Sequence, residues 1–260
     1  MLLHEKYTSI HKERGGNMKI IIELASDCEI TMPLSYNYYV QSLVYNLISD
    51  KNYADFLHNK GYEYGNRTFK LFTFSKLEGD FVLDRNTKTL NFTKKRMSLS
   101  ITSPSEEFIK YVGETLLLKG EVHLHQNKLF VESVKFEDNH IHTNNVKFYT
   151  KTPIVISSTL ASGQTVFYSP LDYCFNERIK SNILKKYNAF YGTTLDDIDL
   201  TINVIGNKIK KKVVRYKKMI INGYMCELEF SGDAKILDFI YSASIGEKNS
   251  QGFGMLELKK

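Results

Sequence analysis

Tryptophan is absent from all 260 residues, proline occurs four times and cysteine three. The cysteines Cys28, Cys174 and Cys226 are far apart and form no Cys-x-x-Cys pair, so neither a disulfide framework nor a thiolate zinc site is indicated. No apolar run approaches the roughly eighteen residues of a membrane-spanning helix. Residues 1–17 are charged and lack the apolar stretch of a secretory signal, so export is not expected and a reducing cytoplasm fits. Gly15-Gly16-Asn17 then reads as a break before the strand-like run from Met18. Residues 1–17 are accordingly expected to be a dispensable leader, with Met18 as an alternative start.

Paired metal-binding acids are also wanting. Asp196, Asp197 and Asp199 read as helix-terminal and loop acids rather than a two-metal centre. His123 with His125, and His140 with His142, would share a strand face as metal ligands often do, but no carboxylate or cysteine cluster completes either pair. No metal and no cofactor are expected.

What the chain does have is 42% apolar and 13% aromatic residues, enough to bury two small cores or one larger one. Lysine and arginine total 35 against 29 acids, for a net charge of +6. The excess is concentrated. No acid occurs between Leu200 and Cys226, where Lys208, Lys210, Lys211, Lys212, Arg215, Lys217 and Lys218 place seven cations in eleven positions. Such a strip is suited to tracking phosphates, although a solvated basic hairpin has the same composition.

The order of patterns is regular. The first half reads as strand 19–24, helix 34–49, short helix 53–60, strands 69–75, 81–83 and 96–102, helix 105–118 and a hairpin across 122–134. Ser105 after Pro104, with Glu106 and Glu107 behind it, is a helix start. A polar linker is expected at 137–145. The second half reads as strand 146–157, helix 172–190, strands 198–205, 208–221 and 224–231, helix 233–245 and a last strand, with Asn222-Gly223 as a hairpin turn. Both halves approximate β-α-β-β-α-β, which predicts an α+β protein of two tandem ferredoxin-like domains, 18–136 and 146–260. Tyrosine and phenylalanine total 33, yet no RNP-type Gly-Phe-Gly-Phe-Val strand is present. Base stacking on the sheet is therefore not indicated, and recognition of RNA would rest on backbone and shape.

In the first helix Val40, Leu43, Val44, Leu47 and Ile48 form one apolar stripe, and Tyr45 lies well away from it. Tyr53, Phe56 and Leu57 form the next stripe, with His58 on the opposite side. Both Tyr45 and His58 are thus expected to point outward. Near the C-terminus an apolar helix runs into Gly246-Glu-Lys-Asn-Ser-Gln-Gly252-Phe-Gly254-Met255. Three glycines in nine residues allow positive φ and close approach, and Lys248, Asn249, Ser250 and Gln251 supply donors. The loop suits phosphates. It is neither a Walker loop nor a dinucleotide fingerprint, since no Lys-Ser or Lys-Thr follows and it lies between a helix and a strand.

That decapeptide, followed by a short closing strand, resembles the signature of the CRISPR-associated repeat-processing endoribonucleases, the Cas6 family. The runs 36–46, 56–58 and 69–75 resemble the family's N-terminal half in the same order. In archaeal members with a tyrosine, a histidine and a lysine at the active site, these types occupy the matching places, which implies Tyr45, His58 and Lys70 as catalytic residues. The segment 59–68 is longer than in that pattern, and active-site residues vary across the family.

The resemblance implies metal-independent cleavage of precursor CRISPR RNA, in which a ribose 2′-hydroxyl attacks the adjacent phosphorus and leaves a 2′,3′-cyclic phosphate and a 5′-hydroxyl. His58 would move protons, in company with Tyr45, and Lys70 would stabilise the phosphorane. RNA contacts are expected from Lys208, Lys210, Lys211, Lys212, Arg215, Lys217 and Lys218, and from Gly246, Lys248, Asn249, Ser250, Gln251, Gly252 and Gly254. Two alternatives stay open: a protein that grips the repeat without cutting it, and a structural subunit of a CRISPR effector complex. Besides CRISPR repeat RNA, effector-complex proteins and a second copy of the chain are candidate partners.

Overall fold

A computed structural model describes residues 18–259. Residues 1–17, expected as a leader, and residue 260 lie outside the described residues. In chain order the first half contains β1 (Met18–Ala25), β2 (Ile30–Pro33), α1 (Asn37–Asn46), α2 (Lys51–Asp55), β3 (Tyr62–Tyr64), β4 (Arg67–Phe69), β5 (Thr73–Phe74), β6 (Phe81–Asp84), β7 (Thr89–Phe92), β8 (Arg96–Ser103), α3 (Glu106–Lys119), β9 (Glu121–Leu124) and β10 (Asn127–Asp138). Alternation of Ile20, Ile22 and Leu24 toward the core makes β1 a central strand. It pairs antiparallel with β8 on one side and β10 on the other, in a sheet ordered β5-β8-β1-β10-β9.

The second half contains β11 (Asn145–Thr150), β12 (Ser157–Thr159), β13 (Thr165–Phe167), α4 (Phe175–Tyr191), β14 (Leu200–Tyr216), β15 (Met219–Gly232), α5 (Ala234–Ala243) and β16 (Leu256–Leu258). Its sheet is ordered β14-β15-β11-β16, with antiparallel pairings throughout. In each half the four principal strands thus lie in the spatial order second, third, first, fourth. The protein is an α+β chain of two tandem ferredoxin-like units, as the pattern order predicts.

Local rules explain most boundaries. Ser105 Oγ accepts from the Phe108 N–H at 3.2 Å and caps α3, and Gly120 ends it in the left-handed region. Asp50 caps α2 in the same manner. Three expectations need correction. The predicted strand 69–75 is split, because Leu71 takes φ 51 and the chain passes from the β3–β4 hairpin to β5.

The expected turn at Asn222-Gly223 lies inside β15 instead. The hairpin reverses at Lys217-Lys218, where Tyr216 pairs with Met219. Gly223 serves a different need: a Cβ there would come within 2.8 Å of Pro153 Cβ and 2.9 Å of the Ile154 carbonyl. Tyr224 and Ile154 exchange backbone hydrogen bonds at this crossing, which also ends β11 well before residue 157. Finally, residues 137 and 138, read as linker, extend β10 opposite Lys19 and Met18. The connection that follows is anchored as Asp238 accepts from the Ile141 N–H at 2.6 Å and meets His140 Nδ1 at 3.1 Å. That hydrogen bond raises the His140 pKa.

The halves share their packing. Phe190, Phe239 and Ala243 from the second half belong to the core built on β1 and α1, with the Phe190 ring 5.4 Å from Tyr62 and 5.9 Å from Phe239. Truncating such a ring typically costs about 3–5 kcal/mol. Polar contacts reinforce the join: buried Lys19 reaches Glu257 at 2.8 Å, and Thr73 Oγ1 donates to the Phe253 carbonyl at 3.0 Å. These contacts bring the C-terminal loop against the first half.

Candidate active site

Helix α1 buries Val40, Leu43 and Val44, which leaves Tyr45 on its flank. The Tyr45 ring is half-buried rather than fully outward, because it packs edge-on against Phe72 at 5.5 Å. It also meets the His58 imidazole edge-on at 5.4 Å. Burial, with a smaller contribution from Tyr216, pushes the Tyr45 phenol up to about 12.

His58 is exposed and lies in Phe56–Lys60, one wide helical turn of π type. Single turns of this type are frequent at functional sites. The turn closes with the Gly61 N–H donating to the Phe56 carbonyl at 2.7 Å, and Gly61 itself takes φ 75. His58 Nδ1 lies 3.0 Å from Asn59 Oδ1. Lys70, between β4 and β5, donates from Nζ to the carbonyls of His58 at 2.8 Å and Lys60 at 3.3 Å. Partial burial lowers its pKa, against the opposing pull of Glu63. The fold therefore gathers Tyr45, His58 and Lys70 from three segments.

Lys70 opens onto a cleft of about 770 Å³ between the halves. One wall is β4 with Lys70 and Leu71, another is α4, and the third is Gly246–Ser250 of the C-terminal loop. Cations prevail: Arg67, Lys70, Arg178, Lys185, Lys186 and Lys248 face Glu177 and Glu247. Cys174, Arg178, Ser181, Asn182 and Lys185 line it at helical spacing. Sequence reading passed over this polar stripe of α4, although its period was the available signal. Asn182 Oδ1 and Arg178 Nε are buried there without a hydrogen-bond partner among the described residues.

The glycines of the C-terminal loop lie against other segments of the protein. A Cβ on Gly246 would stand 2.6 Å from the Val155 carbonyl, one on Gly252 would strike Phe74 and Asn37, and one on Gly254 the Ile245 carbonyl. These glycines allow close packing of protein against protein. Asn249 is consumed internally: Nδ2 donates to the Ile245 and Phe253 carbonyls at 3.0 Å each, and Oδ1 accepts from Lys186 Nζ at 2.7 Å. Lys186 also donates to the Ser244 carbonyl at 2.9 Å, and burial pushes its ammonium down to about 7. Gln251 offers its backbone carbonyl to Asn37 Nδ2 at 2.7 Å. Glu247, Lys248 and Ser250 are the half-buried polar side chains of the loop that line the cleft.

The seven cations from Lys208 to Lys218 are all exposed on the β14–β15 hairpin, and its tip returns to α1. Among the described residues no group of three or more His, Cys, Asp or Glu could hold a metal ion. No described helix is long and apolar enough to cross a membrane.

Two family profiles match the chain: CRISPR-associated protein Cas6, N-terminal, over residues 31–135, and CRISPR associated protein Cas6, C-terminal, over residues 132–258. It is 32% identical over 251 residues to "CRISPR-associated endoribonuclease Cas6 1" of Methanocaldococcus jannaschii, covering 92% of each chain. The chain belongs to the Cas6 family. A second relative, "CRISPR-associated endoribonuclease Cas6" of Pyrococcus furiosus, is 26% identical over 250 residues, 93% of this chain and 90% of the relative. Among solved structures, "CRISPR associated protein Cas6" superposes with a TM-score of 0.76 at 30% identity, across 94% of this chain and all of the other. A Cas6-related protein from Pyrococcus furiosus superposes with a TM-score of 0.81 at 24% identity, across 94% of this chain and 99% of the other, which is a likeness of fold. Within this Cas6 fold the Tyr45–His58–Lys70 group and the basic cleft lie side by side.

Proposed function

We propose that the protein is an endoribonuclease that binds CRISPR repeat RNA and cuts precursor CRISPR RNA once per repeat without a metal ion. The observation that carries this reading is the meeting of Tyr45, His58 and Lys70 beside a cationic cleft, in a chain of the Cas6 family. RNA supplies its own nucleophile. A ribose 2′-hydroxyl loses its proton and attacks the adjacent phosphorus, the P–O5′ bond breaks, and the leaving oxygen takes up a proton. The products are a 2′,3′-cyclic phosphate and a 5′-hydroxyl.

Histidine is the side chain most often used as a general acid or base, so His58 suits the transfer of protons. Tyr45 keeps its proton at neutral pH, because burial disfavours the phenolate. A protonated phenol donates hydrogen bonds, which fits it to orient the scissile phosphate or to supply the leaving group's proton. The Lys70 ammonium would stabilise the extra negative charge of the phosphorane while its bonds to the His58 and Lys60 carbonyls hold the turn. Lys248, Arg178 and Lys185 would guide the flanking backbone through the cleft, and the basic hairpin would extend the track.

The test is cleavage of the host's own repeat RNA in excess EDTA with analysis of the product ends. Cutting at one site, with cyclic phosphate and 5′-hydroxyl termini, is the expected result. Binding without cutting would favour the non-cleaving alternative, and loss of cutting in EDTA would remove the metal-free chemistry.

A further inference from the structure

Tyr38, Gln41 and Tyr45 stand at i, i+3 and i+7 on α1 and so share one face of the helix. Tyr38 is 40% exposed. Lys217, at the reversal of the basic hairpin, holds its ammonium 4.3 Å from the Tyr38 ring centre. Tyr216 meets the same ring edge-on at 6.2 Å and donates its hydroxyl proton to Gln41 Oε1. Gln41 Nε2 in turn lies 3.4 Å from Ser250 Oγ of the glycine loop. The hairpin tip therefore meets helix α1 at the Tyr38 ring, and the loop meets the same face of the helix at Gln41. Tyr45 follows Tyr38 by seven helical steps, a rise of roughly 10 Å, or about three stacked nucleotides.

We infer that Tyr38 is a stacking shelf for one unpaired base within about three nucleotides of the cut, with Lys217 released from the ring to a neighbouring phosphate. Three properties point to a nucleotide rather than another ligand. The ring is open to solvent and carries the exposed cation Lys217 over its face. Its helical face leads to the Tyr45–His58 pair. An exposed cation–π contact is also weaker than stacking of a base on an aromatic ring, so an incoming base can displace the ammonium. The shelf requires that the repeat be single-stranded at this point, since a paired base has no free face to offer.

The inference rests on the reading of repeat RNA as substrate, so its test is made on binding and kept apart from cleavage. Repeat RNA carrying a 2′-deoxyribose at the mapped cut position is prepared in two series. One has single abasic sites at each position near the cut, and the other has single 2-aminopurines. With the wild-type protein, an abasic site at one position within about three nucleotides of the cut should weaken binding about tenfold, in keeping with base–aromatic stacking. In Tyr38→Leu the same abasic site should change binding less than twofold. The 2-aminopurine at that position should be quenched by wild type and by Tyr38→Phe, and not by Tyr38→Leu.

A quench that persists in Tyr38→Leu, or no responsive position in wild type, would overturn the shelf even if the repeat is cut normally. If the position-specific coupling is present while unmodified repeat stays uncut, the shelf stands and the cleavage chemistry falls. The abasic series on wild type remains decisive should Tyr38→Leu unseat the hairpin tip.

Discussion

The ammonium of Lys70 donates to the backbone carbonyl of His58 at 2.8 Å, so one candidate catalytic side chain braces the turn that presents another. The same ammonium reaches the Lys60 carbonyl at 3.3 Å, near the other end of that turn. The electrostatic role proposed for Lys70 would therefore be joined to this structural one. Lys70→Met is expected to lower cleavage and to loosen residues 56–60, with Lys70→Arg recovering part of each. Single-turnover rates together with hydrogen exchange across the turn check this; a rate loss with unchanged exchange would assign Lys70 to charge alone.

His58→Ala is expected to lower the single-turnover rate by about two to four powers of ten, the usual contribution of a general acid or base. Binding of the repeat should change little, because His58 is exposed and is not among the residues that line the cationic cleft. Parallel loss of rate and affinity in a folded variant would contradict the assignment.

Gly61 takes φ 75, and a Cβ there would stand 2.6 Å from the Phe69 carbonyl and 3.1 Å from Lys70 Cδ. Gly61→Ala should therefore displace Lys70 from the His58 turn. A loss of about 1–3 kcal/mol in unfolding free energy is expected from the strained backbone, with cleavage falling further than RNA affinity. Urea unfolding and single-turnover assays measure the two effects separately.

Burial pushes the Lys186 ammonium down to about 7, whereas in the unfolded chain it titrates in the ordinary lysine range near 10.4. Below pH 7 both states carry the proton and the folded protein bears the full penalty of a buried charge. Between pH 7 and about 10.4 the unfolded chain binds more protons, so this group makes stability rise with pH. Wild type should gain stability from pH 7 to 9 relative to Lys186→Met, by an amount on the order of a few kcal/mol. Denaturation of the pair at matched pH values tests it, and identical pH slopes would refute it.

Replacing Lys210, Lys211 and Lys212 with glutamine should weaken RNA binding across unrelated sequences. Each lost phosphate contact should flatten the plot of log affinity against log salt by about 0.7 for a single strand. An unchanged salt slope would show that the hairpin is a solvated basic face. Lys210, Lys211 and Lys212 are not members of the Tyr45–His58–Lys70 group, so cleavage at saturating RNA should stay close to wild type.

Much of the architecture was legible along the chain. Alternating apolar residues mark β1, Ser105 and Gly120 punctuate α3, and the order of elements in both halves predicts the repeated ferredoxin-like unit. The separation of Tyr45 from the apolar stripe of α1, and the run of seven cations without an acid, likewise follow from short-range periodicity and charge. Those signals act between residues a few positions apart, and local geometry is sufficient to read them.

Tertiary structure decided the rest. Gly223, read as a turn residue, is small because Pro153 and Ile154 cross it; the reversal passes instead to Lys217-Lys218. Gly252 and Gly254 serve close packing, Asn249 is held by Lys186, and a polar stripe of α4 becomes a cleft wall. The Tyr45 phenol is raised to about 12 chiefly by burial, Phe72 packing against its ring, a contact across 27 residues of chain. The amino-acid pattern determined which elements form and where charge accumulates. Which groups meet, lose water or shift their proton affinity depended on close approach between segments remote in sequence, because packing and desolvation act through space rather than along the chain.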